Sequence, residues 1–360
     1  MARLIAARRT AVVPRGGAFA RLSIEDLGAP VLLACLADAG IRPDQVDEVI
    51  LANALGAGGN PARRVALAAG LPQRVAGLSI DRQCAGGLDA ILLARALVDS
   101  GAAEVVLAGG VESYSRRPLR LATDPEGGPA IAYDQAPFTP WPDRDPGMAD
   151  AAEALAQRLG INRAAQEAWA VESHAKALKA EHSAEIVALS GVTQDAFARR
   201  LTPGLLSRAP VLSGSITAAT AAVAADAAAV CLVVSDRLAR GRGLAILDGA
   251  TLGGDPMEPG LAPLAAIQRI WSGQPLAMAE IMEAYAVQAL AVVGGAGIDP
   301  AIVNPGGGAL ARGHPIGASG AILAVRLFHG LRKGLGLAAI ASAGGIGTAV
   351  LLKASAARQE

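Results

Sequence analysis

Aromatic residues make up only 3% of this sequence, too few to build the stacking platforms on which single-stranded nucleic acids are held. Neither sign of charge is in excess, with 32 Lys and Arg set against 32 Asp and Glu. No basic surplus therefore draws the chain to nucleic acid or to an anionic membrane surface. Three cysteines in 360 residues, Cys35, Cys84 and Cys231, cannot frame a disulfide-rich fold. None stands in a Cys-x-x-Cys pair, and a reducing cytoplasm is the expected compartment. The first ten residues lack the apolar core and small-residue ending of a signal peptide. The uncharged run 334–352 is long, but its repeated glycines predict a strand followed by a glycine turn, not a membrane span. Also missing are Gly-x-Gly-x-x-Gly after a strand, a phosphate loop ending in Gly-Lys-Ser/Thr, a Gly-x-Ser-x-Gly elbow and His-Glu-x-x-His. Without them the sequence carries no signature of a dehydrogenase, a nucleotide hydrolase, a serine esterase or a metalloenzyme.

What the chain has is apolar bulk, 52% against 18% charged residues. At this length it buries a large core and divides into two domains or two copies of one. Its first hundred residues alternate in character. An amphipathic helix over 27–39 is followed by a strand over 46–52, a helix over 60–69 and a loop entering a short strand over 74–80. A buried helix over 90–97 and a buried strand over 104–110 come next. Such alternation builds a mostly parallel sheet covered by helices on both faces.

Cys84 lies in Asp81-Arg82-Gln83-Cys84-Ala85-Gly86-Gly87, between the short strand and the buried helix. At a strand-to-helix turn, free N–H groups and the positive end of the helix dipole favour a thiolate. Gly86 and Gly87, having no Cβ, let a ligand approach closely. Cys35 and Cys231 fall on apolar faces and read as core packing.

The chain also resembles itself. Gly86 and Gly317 are 231 positions apart, and the same offset matches Ala90 with Ala321, Ile91 with Ile322, Leu92 with Leu323 and Arg95 with Arg326. Both helices run on into an apolar strand ending in Gly-Gly, at 109–110 and 344–345, and the break Ala39-Gly40-Ile41-x-Pro43 recurs as Ala296-Gly297-Ile298-x-Pro300. Two similar α/β halves are expected, residues 1–115 with 211–240 and residues 241–360. Cys84 stands on one, and the Gly313-His314-Pro315 turn holds the equivalent place on the other. Between them, residues 116–210 form an insertion, irregular at first, strongly helical over 149–180 and then mixed. Its Arg116, Arg117, Arg120, Arg199, Arg200 and Arg208 are candidates for phosphate contacts. His174, His182 and His329 fall in helix-like surface patterns, where no chemistry is expected of them.

These residues carry a family resemblance that runs nearly end to end. Arg9-Thr10, Val46-Asp47-Glu48-Val49-Ile50, Asn60-Pro61-Ala62-Arg63, Cys84-Ala85-Gly86-Gly87-Leu88, Glu280-Ile281-Met282-Glu283-Ala284-Tyr285-Ala286, Asn304 with the glycines to 308, and Gly313-His314-Pro315-Ile316-Gly317-Ala318-Ser319-Gly320 together resemble a thiolase. The resemblance implies a five-layer αβαβα fold of two duplicated halves with an inserted loop domain. It implies an acyltransferase of the acetyl-CoA acetyltransferase type, acting on acyl-CoA thioesters in fatty acid metabolism. Cys84 would be the acylated nucleophile and His314 the group that activates it, with Met148, Met282, Ala341, Ala343 and Gly344 lining the acyl site. Coenzyme A arrives as part of the substrate, with no separate cofactor, and a homodimer or homotetramer is expected.

Three positions depart from the family pattern. Ala341, followed by Ser342, stands where thiolases carry a second catalytic cysteine, Met282 replaces an Asn that holds an oxyanion-hole water, and Gly147 replaces a histidine. Losing a general base costs about 10²–10⁴-fold in rate. Acyl transfer to another acceptor, decarboxylative condensation and thioester hydrolysis therefore stay open beside thiolysis, as does a non-catalytic subunit that binds acyl-CoA.

Overall fold

The computed structural model describes residues 1–354. In the N-terminal half the strands are β1 (Ala2–Thr10), β2 (Glu48–Ala52), β3 (Leu78–Ile80), β4 (Val105–Glu112) and β5 (Ala225–Ser235). The C-terminal half holds β6 (Leu244–Gly253), β7 (Leu276–Ile281), β8 (Leu335–Ser342) and β9 (Ile346–Ala354). They form one hydrogen-bonded path, β7-β8-β9-β6-β1-β5-β4-β2-β3. The halves join where β1 meets β6 at Arg3 opposite Ala245 and Leu4 opposite Leu244.

Read outward from that junction, the halves repeat one topology. β1 and β5 are antiparallel, as are β5 and β4, while β4 with β2 and β2 with β3 are parallel. In the other half β6·β9 and β9·β8 are antiparallel, β8·β7 is parallel, and a parallel bridge from Ala279 to Val303 takes the place of β3. The expected duplication is thus present in the strand pairing itself.

Helices α1 (Ile24–Ala39) and α2 (Pro61–Ala68) pack on the outer face of the first half-sheet, while α6 (Ala262–Ile270) and α7 (Ala286–Ala296) pack on that of the second. Between the half-sheets lie α3 (Gly86–Asp99) and α8 (Ile316–Gly330). A single apolar cluster joins them to both inner faces: Leu88 and Ile91 of α3, Ile322 and Leu323 of α8, Cys231 of β5, Ile246 of β6 and Ile340 of β8. These are the five layers αβαβα. Helices α4 (Met148–Leu159) and α5 (Arg163–Lys179), broken at Gly160, supply the helical part of the insertion. The insertion is tied to β1 through Arg9, fully buried between Glu185 and Asp195.

No side chain fits where α3 and β4 come closest to α8. A Cβ on Gly87 would lie 2.5 Å from the Ala321 nitrogen, and one on Gly110 would lie 2.1 Å from the Gly317 oxygen. Two of the sequence matches join places that are not equivalent. Gly109 and Gly110 lie inside β4, whereas Gly344 and Gly345 form the hairpin turn between β8 and β9 with φ of 77° and 75°. The Gly40 cap ends α1, whereas the Gly297 cap ends α7, whose counterpart is α2. There the matching left-handed glycine is Gly70. The same local device, a glycine cap followed by proline, serves several helix ends.

Candidate active site

Cys84 sits in a helical turn, residues 83–85, that runs directly into α3. Gln83 before it has a φ of 48°, the left-handed region that a non-glycine residue rarely enters. The Asp81 carboxylate holds it there, accepting from the Gln83 main-chain nitrogen at 2.8 Å and from Nε2 at 3.0 Å. From β8, the Ser342 hydroxyl donates to the Arg82 carbonyl at 3.1 Å, tying the end of the second half to the turn of the first.

His314 arrives from the other half, just ahead of α8. Its main-chain nitrogen donates to the Val223 carbonyl at 2.7 Å, and Ser319, one turn into α8, meets Nδ1 at 2.6 Å. Nε2 then lies 3.1 Å from Cys84 Sγ. The two side chains that the sequence singles out are therefore in contact, although 230 residues apart.

Each group keeps an edge open on a cavity but is otherwise enclosed by protein. Burial pushes the Cys84 thiol up to about 12, against the pull of the N–H groups of Cys84 and Ala343 and the Ser342 hydroxyl, while the Glu112 charge adds to the rise. Burial alone pushes the His314 imidazole down to about 4. Both are neutral at pH 7. A thiol proton directed at Nε2 requires the imidazole proton on Nδ1, where Ser319 Oγ stands to accept it. Attack on a carbonyl would move the thiol proton onto Nε2 and leave the negative charge on the carbonyl oxygen.

The cavity that exposes both groups has a volume of about 300 Å³. Met148, Ala341 and Ala343 line it, and so does Ser342, while Met282 and Gly344 do not. Met282 is 1% exposed, its main chain continues the β7·β8 ladder with a bond to the Ala339 carbonyl, and its side chain joins the central apolar cluster. Gly344 belongs to the hairpin turn beside the Phe138 carbonyl. Gly147, directly before α4, is not among the lining residues either. Glu283 and Asn304, prominent in the family-like strings, also stand back from the cavity. The Glu283 carboxylate accepts from Trp169 Nε1, Ser173 Oγ, Asn304 Nδ2 and Leu310 N, bracing the end of β7 against α5.

None of the six candidate arginines lines the cavity. Arg116 donates to the Arg21 carbonyl, Arg117 pairs with Asp134, Arg120 donates to the Leu55 carbonyl, Arg208 donates to the Gly204 carbonyl and Arg199 lies over the Phe197 ring. Of the three other histidines, only His174 is buried, against the surface position expected of it, while His182 and His329 are half-buried. His174 is 2% exposed and accepts from the Arg199 nitrogen. His182 joins Glu185 and Arg326, and His329 is bonded to the Ala7 carbonyl. Cys35 and Cys231 are fully buried core residues, as the sequence implies. Sequence reasoning misses Tyr285 and Gln288, which line the cavity, and Ser319, which lies inside a quoted string but shows its role only through one helical turn of geometry. Among the described residues no group of His, Cys, Asp and Glu is arranged to hold a metal ion, and no helix is long and apolar enough to cross a membrane.

The thiolase N-terminal domain model matches residues 2–237, and the thiolase C-terminal domain model matches residues 243–354. The putative acetyl-CoA C-acetyltransferase YhfS of Bacillus subtilis is 38% identical, with 97% of this chain and 98% of the relative covered. An acetyl-CoA acetyltransferase of Cupriavidus necator is 36% identical over the same shares. The crystal structure of the Bacillus anthracis acetyl-CoA acetyltransferase superposes with a TM-score of 0.91 at 32% identity, covering 98% of each chain. Acat5 thiolase from Ascaris suum, in complex with coenzyme A, gives 0.91 at 29% identity, covering 98% of this chain and 99% of its own. The chain belongs to the thiolase family. It is an acyltransferase of that family, with the cysteine and the histidine of its candidate site in contact.

Proposed function

We propose that this enzyme takes acyl groups from coenzyme A thioesters and carries them on Cys84. The observation behind this reading is the 3.1 Å contact of Sγ with Nε2 at the edge of an enclosed cavity. Sγ attacks the thioester carbonyl carbon, and its proton passes to Nε2. The tetrahedral oxyanion collapses, the carbon–sulfur bond to coenzyme A breaks, and the departing thiolate takes the proton from Nε2. Cys84 is left acylated and His314 neutral, ready to accept the proton of an incoming acceptor. Nucleophile and base both come from the chain, so this step calls on no cofactor beyond the coenzyme A of the substrate. The same pair of groups argues against a subunit that only binds acyl-CoA, which would have no use for them.

A second reading concerns the acceptor. Ala341 presents only a methyl group to the cavity, and the Ser342 hydroxyl is engaged with the Arg82 carbonyl. Neither can serve as the second base. This favours acyl transfer to another acceptor, decarboxylative condensation or hydrolysis over ordinary carbon–carbon thiolysis.

Radiolabelled acyl-CoA of increasing chain length, quenched in acid and digested, tests both readings. Label on the Cys84 peptide is expected, together with acetoacetyl-CoA cleavage far below the rate of a thiolase with two cysteines. No label from any chain length overturns the first reading, and brisk cleavage overturns the second.

We further place the enzyme in fatty acid metabolism in the cytoplasm, as a homodimer or homotetramer. Free Cys35, Cys84 and Cys231 support a reducing compartment. The open edge of β3, with Leu78 44% exposed, supports self-association. Light scattering after size exclusion gives the oligomer directly, and a monomeric mass rejects it.

A further inference from the structure

Two buried glutamates have carboxyls that burial raises to about 7, Glu112 and Glu280, and the steps above use neither. Glu280 lies outside the cavity lining, near Arg326 and Arg312. Glu112 is built into the frame of the site. It ends β4, is 1% exposed, and accepts four hydrogen bonds. Oε1 accepts from Asn53 Nδ2 at 2.8 Å and Leu55 N at 3.2 Å, while Oε2 accepts from Ala54 N and Gly317 N, each at 3.0 Å. The first three donors belong to the half that carries Cys84. The fourth lies in the first turn of α8, in the half that carries His314.

That fourth bond replaces a missing cap. Pro315, at the N-cap of α8, makes no side-chain hydrogen bond to the helix. First-turn N–H groups have no acceptor within their own helix and bear the positive end of its dipole. Glu112 supplies the acceptor from the opposite half. His314 stands two residues before Ile316, and its ring is held by Ser319 inside α8. A shift of the first turn therefore carries the imidazole with it. The Cys84 side is fixed against the same turn, since Gly87 abuts the Gly317 carbonyl.

Building on the acyl-transfer reading, we propose that Glu112 is a positioning residue. Its carboxylate, shared between residues 53–55 and the Gly317 N–H, sets the His314 imidazole in register with Cys84 Sγ. Glu112→Gln keeps the size but turns an NH₂ toward N–H donors, and Glu112→Asp keeps the charge but shortens the reach by one methylene.

The test is the rate of Cys84 alkylation by iodoacetamide, with Cys35 and Cys231 shielded by complete burial. Comparing wild type with His314→Ala gives the factor that the imidazole contributes, and the comparison is repeated in the E112Q and E112D backgrounds. A wild-type factor of about tenfold or more, falling to within about twofold of unity in both backgrounds, is the coupling expected of groups that act together. The same factor in all three backgrounds overturns the proposal, and so does a factor near one in wild type. Should E112Q fail to melt cooperatively, E112D alone carries the comparison. This readout uses no acyl-CoA. A failure of acyl-CoA to label wild-type Cys84 is thus distinguishable from a failure of Glu112 to couple.

Discussion

Gly87 and Ala321 face each other across the middle layer with no room for a side chain, since a Cβ on the glycine would stand 2.5 Å from the alanine nitrogen and 2.9 Å from the Gly317 oxygen. Both obstacles are main-chain atoms of α8, which cannot rotate away. Gly87→Ala is expected to cost about 3 kcal/mol, the upper end of ordinary overpacking. Denaturant melts measure this. A loss under about 0.5 kcal/mol, the usual surface scatter, would mean that the inner helices part easily. The site should suffer beyond the loss of stability, because α8 carries the anchor of His314.

Removing either partner of the reactive pair should separate chemistry from binding. Cys84→Ala is expected to abolish covalent label from acyl-CoA. His314→Ala should slow single-turnover acylation by about 10²–10⁴-fold with little change in substrate affinity. Rapid-quench measurement of acylation and equilibrium binding to the C84A protein check the two halves of this statement. An undiminished acylation rate in H314A would assign the proton to another acceptor.

The protonation states set a pH profile. Burial raises the thiol to about 12 and lowers the imidazole to about 4, so the reactive thiolate is a minor species at neutral pH. Its population grows as pH rises. In His314→Ala, where no imidazole can take the proton, alkylation of Cys84 by iodoacetamide should climb about tenfold per pH unit between pH 6 and 9, while the wild-type rate should vary far less. A plateau below pH 8 in His314→Ala would show that burial does not raise the thiol.

Glu280 makes stability depend on pH in the sense of a carboxyl that burial keeps protonated, the burial outweighing Arg326, whose Nε stands 3.8 Å from Oε1. Its carboxyl is fully buried, both oxygens lack a hydrogen-bond partner, and burial raises it from 4.5 to about 7. The fold favours the protonated form. The stabilisation is complete below pH 4.5 and is lost as pH rises through about 7. A shift of this size corresponds to at most about 3 kcal/mol. Glu112 contributes a loss of the same sign over the same window. Melting between pH 4.5 and 8 should show falling stability in wild type and a shallower fall in Glu280→Gln. Parallel curves for the two proteins would count against a protonated Glu280.

The architecture is legible in the sequence because its physics is local and repeated. Alternating helix and strand periods, glycine caps and the 231-residue offset each leave a pattern of letters. Cys84 and His314 are legible for the same reason, each beside glycines at a turn before a buried helix. Met282 is not, because a motif names a position without saying which way its side chain turns, and here it faces the core. The Gly-Gly pairs mislead similarly. Gly109–Gly110 answers a steric demand inside a strand, while Gly344–Gly345 answers a conformational one in a turn. Glu112 and Ser319 act across or along the inner helices, and only their coordinates place them beside the reactive pair.

The duplicated turn has an evolutionary corollary. By the offset that matches the inner helices, the position corresponding to His314 is Gln83, immediately before Cys84. One copy carries an electron-pair donor at this corner and its sibling a proton acceptor, and the reaction is fast only where the two meet. A substitution that shifts the turn of one copy draws its reactive group away from the other, so a change in either half is felt in both.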